Sequence, residues 1–151
     1  MTNTTTTAVS PEIVTYLNDR IEAMKAWIAE DPQNRGGGCV EPTPEYLEEL
    51  AREGVFTLQE YKRYEMAYDV YDAHKSAWGW KPNYAHLRTM SMEELQQEME
   101  YCKRQFRANE ERAKEAMDIA WAEANELASR LGQSVKTLIK WGVLKRDDLY
   151  A

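Results

Sequence analysis

The chain has 151 residues, of which 43% are hydrophobic, a length sufficient for a packed core without disulfides or metal. Its formal net charge of -7 disfavours direct nucleic-acid binding, which relies on surplus Lys and Arg to displace counterions from phosphates. No apolar stretch approaches the roughly 18 residues of a membrane span, and the opening MTNTTTTAVS lacks the features of a targeting signal. We therefore expect a cytoplasmic protein.

The first predicted helix follows a flexible N-terminus of residues 1–9. Ser10 is a favourable N-cap, and Pro11 suits the first helical position because its missing N–H is not needed there. Apolar side chains then recur every three or four residues as far as about Glu30. Residues 31–43, which are rich in Gly, Pro and polar side chains, predict an irregular loop.

Two further helices are predicted before the middle of the chain. Thr43 and Pro44 begin a short helix that Gly54 ends. Thr57 and Glu60 then have the spacing of a capping box. The helix that follows this box carries aromatic residues at helical spacing and stops at Gly79. These aromatic residues are Tyr61, Tyr64, Tyr68, Tyr71 and Trp78.

A long helix is predicted from a second capping box, formed by Ser91 and Glu94. It meets no Pro or Gly before Gly132, so it spans about 40 residues, or about 60 Å if straight. A compact domain of this chain length is about 40 Å across. The helix is therefore expected to kink, to protrude or to pair with another chain.

The long helix carries a narrow seam of apolar and small residues. Its first part has the four-three spacing of a coiled coil, and its Ala row permits close approach of another backbone. Asn109 interrupts the seam, where it either fixes the register or marks a break. We expect this seam to form a homo-oligomer. Its residues are Leu95, Met99, Phe106, Ala113, Ala116, Ala120, Ala124 and Ala128.

The end of the chain predicts one more short helix and a tail. Ser134 is its N-cap and Gly142 ends it, while residues 143–151 predict a loose C-terminal tail. The predicted fold is all-α, with one helical domain over residues 10–142. We expect a helical hairpin or irregular bundle, in which the Tyr-rich helix folds back along the long helix with coiled-coil-like packing.

Residues 73–92 interrupt the acidic character of the chain, because they contain three Lys or Arg residues and no Asp or Glu. Cations beside flat aromatic rings are suited to hold an acidic partner. The alternative is that the rings pack a helix corner while Lys81 and Arg88 neutralise acidic neighbours. The candidate partner-binding residues are Lys75, Trp78, Trp80, Lys81, Tyr84 and Arg88.

Sites for metals, phosphates and catalysis are not evident. The loop of Arg35 and Gly36–Gly38 lacks the Lys and Ser or Thr of a P-loop, so it predicts a flexible connection. His74, His86 and the cysteines match no zinc-binding spacing, so we expect neither metal nor cofactor.

Catalytic residues are not evident either. Cys102 lies on the apolar seam, which favours core packing over nucleophilic chemistry. Since the chain also shows no paired carboxylates or triad, we expect it not to be an enzyme. One hypothesis for the Glu-rich long helix is that it mimics the phosphates of DNA and so blocks a nucleic-acid-binding protein. The Lys and Arg residues between the acids instead favour an ordinary solvated helix face.

Three local patterns carry a resemblance. A helix ends in a Lys, aromatic, Gly, aromatic, basic, Pro turn, formed by Lys75, Trp78, Gly79, Trp80, Lys81 and Pro82. A Ser-capped helix rich in Glu and Leu follows, and the pattern Thr, hydrophobic pair, basic, Trp lies near the end of the chain. The second and third patterns are matched by Ser91, Glu93, Glu94, Leu95, Thr137, Leu138, Ile139, Lys140 and Trp141. With these patterns, residues 66–142 resemble a group of uncharacterised accessory proteins encoded by tailed bacteriophages and prophages.

The resemblance implies a phage protein expressed in the host cytoplasm. Together with the missing catalytic pattern, it favours a non-enzymatic protein that binds and modulates a host macromolecule, such as a component of antiviral defence. The alternative is a virion or assembly component, in which the long helix would serve symmetric packing.

Overall fold

The structure is a computed structural model that describes residues 8–31, 33–35 and 37–150. The first seven residues of the predicted flexible N-terminus, and Gly36 of the predicted glycine loop, lie outside the described residues. The fold is all-α, and no strand occurs in the described ranges. None of the helices in those ranges is long and apolar enough to cross a membrane. The helices are α1 Pro11–Glu30, α2 Pro44–Arg52, α3 Leu58–Trp78, α4 Tyr84–Leu87, α5 Met92–Leu131 and α6 Val135–Lys140.

The helix starts depend on local caps, which confirm the predicted boundaries. The Ser10 hydroxyl accepts a hydrogen bond from the backbone N–H of Glu12. At α3, the Glu60 carboxylate accepts from the backbone N–H groups of Phe56 and Thr57, and these bonds lower the pKa of Glu60. The stabilisation by Glu60 is therefore present at neutral pH and is lost as pH falls through its lowered pKa.

The same reciprocal box begins α5. Ser91 Oγ accepts from the Glu94 N–H at 3.2 Å, and Glu94 Oε2 accepts from the Ser91 N–H at 2.7 Å. The 40-residue helix that follows confirms the predicted length. The short helix α4 was not predicted; Asn83 caps it by accepting from the Ala85 N–H.

The described residues form two compact units. The single helical domain over residues 10–142 stays a prediction. Unit 1 comprises the described residues through Tyr71 together with Pro82–Gln97. Unit 2 comprises Asp72–Lys81 and the described residues from Glu98 onward. Helices α3 and α5 therefore contribute residues to both units.

The core of unit 1 joins α1 and α2 to the start of α3. Its largest buried side chain is Tyr61, which is 1% exposed. The Tyr61 hydroxyl donates to Glu65 Oε1 at 3.1 Å and lies 3.3 Å from the Tyr46 hydroxyl. Burial raises the pKa of Tyr61, so it stays a neutral donor. The buried residues of this cluster are Ile13, Leu17, Leu50, Val55 and Tyr61.

In unit 2, Asn109 links α5 to the end of α3. Its side-chain amide donates to the Ala77 carbonyl at 2.7 Å, and its oxygen accepts from Gln105 at 2.9 Å. Helix α5 is continuous through this position, so Asn109 does not mark a break. Asn109 instead supplies a donor to the Ala77 carbonyl. This carbonyl lies in the last turn of α3, where backbone carbonyls have no partner within the helix.

We expect Asn109→Ala to lower the free energy of unfolding of unit 2 by about 1–2 kcal/mol, because the Ala77 carbonyl would lose its donor. Asn125→Ala is the matched control, since Asn125 is exposed on the same helix; its effect should stay within about 0.5 kcal/mol. Urea unfolding followed by Trp fluorescence measures both variants. Equal effects would contradict the proposed role of Asn109.

The described part of the C-terminal segment differs from the loose tail predicted for it. Arg146–Asp148 form a 3-10 turn, and Leu149 is 3% exposed. Trp121 Nε1 on α5 donates to the Leu149 carbonyl at 2.9 Å, and the Trp121 and Tyr150 rings meet edge to face at 5.2 Å. The segment resembled a tail because it is short and highly charged, and its binding surface on α5 is distant in sequence.

Candidate functional site

The six predicted partner-binding residues are distributed over both units. Lys75, Trp78, Trp80 and Lys81 belong to unit 2, whereas Tyr84 and Arg88 belong to unit 1. The two sets are therefore described separately.

Trp78 and Trp80 lie beside His74, and Tyr101 packs against Trp78. We call these three rings, Trp78, Trp80 and Tyr101, the aromatic patch. The Trp78 ring lies 5.0 Å from Tyr101 and 6.4 Å from Trp80 between centroids. Trp80 is 54% exposed and Tyr101 is 49% exposed. Sequence reasoning missed Tyr101, because it lies on α5, more than 20 residues beyond the two tryptophans.

A glycine turn positions Trp80 in this patch. Helix α3 ends at Trp78, and Gly79 has a φ of 77°, a left-handed conformation that favours glycine. The Gly79 N–H donates to the Lys75 carbonyl at 2.8 Å. The turn returns the chain toward α3, so the Trp80 ring lies 5.2 Å from the ring of His74.

Cations border the aromatic patch. The Arg104 guanidinium lies 5.9 Å from the centre of the Tyr101 ring, and Lys75 is exposed one turn before Trp78. Lys81 Nζ pairs with Asp72 Oδ1 at 2.7 Å. This ion pair matches the alternative interpretation of Lys81, in which it neutralises an acidic neighbour, although the side chain remains 35% exposed.

The exposed Trp80 and Tyr101 rings, with Arg104 beside them, give the patch a composition typical of binding hot spots. No family model, curated protein or solved structure matches the chain. The resemblance of residues 66–142 to phage accessory proteins therefore stays a prediction.

In unit 1, Arg88 makes intramolecular contacts. Its guanidinium donates to the Glu53 carboxylate at 3.0 Å and to the Glu53 carbonyl at 2.9 Å, and it lies 4.7 Å from the centre of the Tyr64 ring. The side chain is 22% exposed. Arg88 thus connects the end of α2 to α3, as the alternative interpretation of this residue anticipated.

Tyr84 also packs within unit 1. Its ring meets Tyr71 edge to face at 5.5 Å and Tyr68 at 6.4 Å. Its hydroxyl is buried and has no hydrogen-bond partner. This environment is typical of a residue that packs a helix corner.

The predicted oligomer seam on α5 differs in exposure along its length. Leu95 is buried in unit 1, and Ala124 and Ala128 are buried in unit 2. Residues 110–116, in contrast, are exposed on every side of the helix. The seam is therefore not one continuous surface. Met99 and Ala120 are partly buried, and Phe106, Ala113 and Ala116 are exposed.

Cys102 is buried within unit 2, in agreement with core packing. Burial, with the nearby Glu98 carboxylate, raises the pKa of Cys102 to about 11. The residue is therefore a protonated thiol at neutral pH, whereas a nucleophile must be a thiolate.

His86 is exposed in unit 1 and lies apart from both cysteines in the sequence.

Unit 1 contains a groove of about 630 Å³ that sequence reasoning missed. Tyr16 and Tyr61 donate to Glu65, which also lines the groove, and the side chains of Arg20 and Lys62 lie over the Tyr16 ring. The helical spacing of the α3 tyrosines indicates that they share a face of that helix. It does not indicate the groove, which also includes Tyr16 of α1 and Tyr46 of α2. Its tyrosine lining is Tyr16, Tyr46, Tyr61, Tyr64 and Tyr68.

Proposed function

We propose that this protein is a phage-encoded, non-enzymatic protein that acts in the host cytoplasm by binding a host protein through the aromatic patch. The host protein belongs to an antiviral defence system, and binding of this chain inhibits it. The observation that carries the binding proposal is the exposure of Trp80 and Tyr101 beside cations in unit 2. The phage origin rests on the resemblance of residues 66–142.

The physical case for binding rests on rigidity and charge. The Trp80 ring is held by the Gly79 turn against His74, so little side-chain entropy would be lost when a partner covers it. Aromatic anchors in such positions contribute about 2 kcal/mol or more of binding energy. Lys75, Lys81 and Arg104 favour a partner with an acidic surface.

We expect Trp80→Ala and Lys81→Glu each to weaken partner binding by about 30-fold, which corresponds to about 2 kcal/mol. Tagged full-length chain captures the partner from host lysate, and titration of the captured protein then gives the affinity. Trp141→Ala is the matched control, because Trp141 is 61% exposed in unit 2 but outside the patch. Unchanged binding by both patch variants would overturn the proposed surface.

A virion or assembly component is the second candidate. The observation that favours it is the stretch of α5 at residues 110–116, which is exposed on every side. A second copy of the chain would cover this stretch through coiled-coil-like packing of the Ala row. Mass spectrometry of purified particles distinguishes the two candidates, because only a structural component is present there in stoichiometric amounts.

Homo-oligomer formation is the corresponding prediction. We expect light scattering at micromolar concentration to give the molar mass of at least a dimer. The variant Ala116→Glu should be a monomer, because the carboxylates of two copies would face each other at close range. Ala122→Glu is the matched control, because Ala122 is exposed on α5 but lies off the seam. A monomeric wild-type chain would contradict this prediction.

A further inference from the structure

Three side chains with different metal-binding groups converge inside unit 2: His74, Glu98 and Cys102. One ligand atom from each lies within 4.8 Å of the others. Glu98 and Cys102 are four residues apart, so they occupy one face of α5. His74 comes from the last part of α3, which belongs to the same unit.

The imidazole of His74 has unused ligand capacity. The residue is 6% exposed, and its Nε2 lies 2.8 Å from Glu98 Oε1. Its Nδ1 is buried and has no hydrogen-bond partner.

The surroundings of the cluster suit a metal ion. The Trp78 and Trp80 rings lie 4.8 and 5.2 Å from the His74 ring, and an apolar shell of this kind limits solvent access. Cys102 is 1% exposed and also lines a groove of about 400 Å³, so the sulfur side of the cluster borders this groove.

We propose that His74, Glu98 and Cys102 bind one zinc ion, with water as the fourth ligand. Imidazole nitrogen, carboxylate oxygen and thiolate sulfur are the ligands that zinc takes in tetrahedral sites. Zinc–ligand bonds of about 2.0–2.3 Å place the ligand atoms about 3.5 Å apart. The widest pair, now within 4.8 Å, must therefore close by about 1 Å, while His74 Nε2 and Glu98 Oε1, now 2.8 Å apart, must separate slightly. The thiol proton of Cys102 passes to solvent as the sulfur–zinc bond forms.

Such an ion would link α3 to α5 and stabilise unit 2. This site departs from the expectation of no metal, which considered only histidine and cysteine spacings along the chain. Glu98 was not among the ligands considered there. His74 lies 24 residues before Glu98, on another helix. A ligand set assembled from two helices has no fixed sequence spacing.

The test uses the full-length chain after chelator treatment and dialysis, titrated with Co²⁺ and then with Zn²⁺. We expect one equivalent of Co²⁺ to produce the near-ultraviolet sulfur-to-cobalt absorption and visible bands of a tetrahedral thiolate site. One equivalent of Zn²⁺ should abolish both. Cys102→Ser should lose the sulfur-to-cobalt band, while Cys39→Ser, the matched control, should keep it.

Glu98→Gln provides a second variant that does not depend on the cysteine. It should weaken zinc binding at least about tenfold, a loss that even outer partners of metal sites produce. His86→Gln, at an exposed histidine, should leave binding unchanged. Far-ultraviolet circular dichroism verifies that the variants remain helical. Absence of the cobalt band in the wild type, or its persistence in Cys102→Ser, would overturn the site.

Discussion

Leu149→Ala is expected to lower the free energy of unfolding of unit 2 by about 3 kcal/mol, within the range for truncating a buried leucine. Leu149 is 3% exposed although it is the third residue from the end of the chain. The substitution keeps the backbone carbonyl that accepts from Trp121, so we expect the loss to report the buried side chain.

Urea unfolding followed by Trp fluorescence measures this effect. Four of the five tryptophans belong to unit 2, so the signal reports mainly on that unit. Val143→Ala is the matched control in the same segment, because Val143 is 53% exposed. Its effect should stay within about 0.5 kcal/mol. If Leu149→Ala were equally mild, the segment would be the loose tail that its composition suggested.

Arg88→Ala is expected to lower the free energy of unfolding of unit 1 by about 1.5–3 kcal/mol, the range for hydrogen bonds that involve charged groups. The substitution removes both bonds to Glu53 and the contact with the Tyr64 ring. It also leaves the Glu53 carbonyl, at the end of α2, without its donor from Arg88.

Hydrogen exchange of the α2 amides reports this loss locally, and urea unfolding gives its magnitude. Arg52→Ala is the matched control, because Arg52 is exposed on α2 in the same unit. We expect its effect to stay within about 0.5 kcal/mol. Retained stability with lost partner binding in Arg88→Ala would instead identify Arg88 as a contact residue.

The candidate site was predicted in part. The Gly79 turn and its tryptophans are contiguous in sequence, so their grouping was accessible to local reasoning. Tyr101 completes the aromatic patch from α5 and Arg104 borders it, and no local pattern connects either residue to Trp78. Arg88 belongs to the same acid-poor segment, yet its partner Glu53 lies 35 residues away and gives it a structural role.

The sequence by itself determined where the principal helices begin and end. The caps at Ser10, Thr57 and Ser91 bond to backbone groups within four residues, so the chemistry that sets a boundary lies beside that boundary. Helix α4 escaped notice because it is only four residues long.

Only the tertiary structure decided which apolar and polar side chains meet. The seam of α5 repeats apolar or small residues at helical spacing, but Leu95 and Ala124 are buried in different units while residues 110–116 remain exposed. Leu149 and His74 likewise find their surroundings on a helix distant in sequence. Helical periodicity specifies the face on which a side chain lies, whereas its burial depends on which other element covers that face.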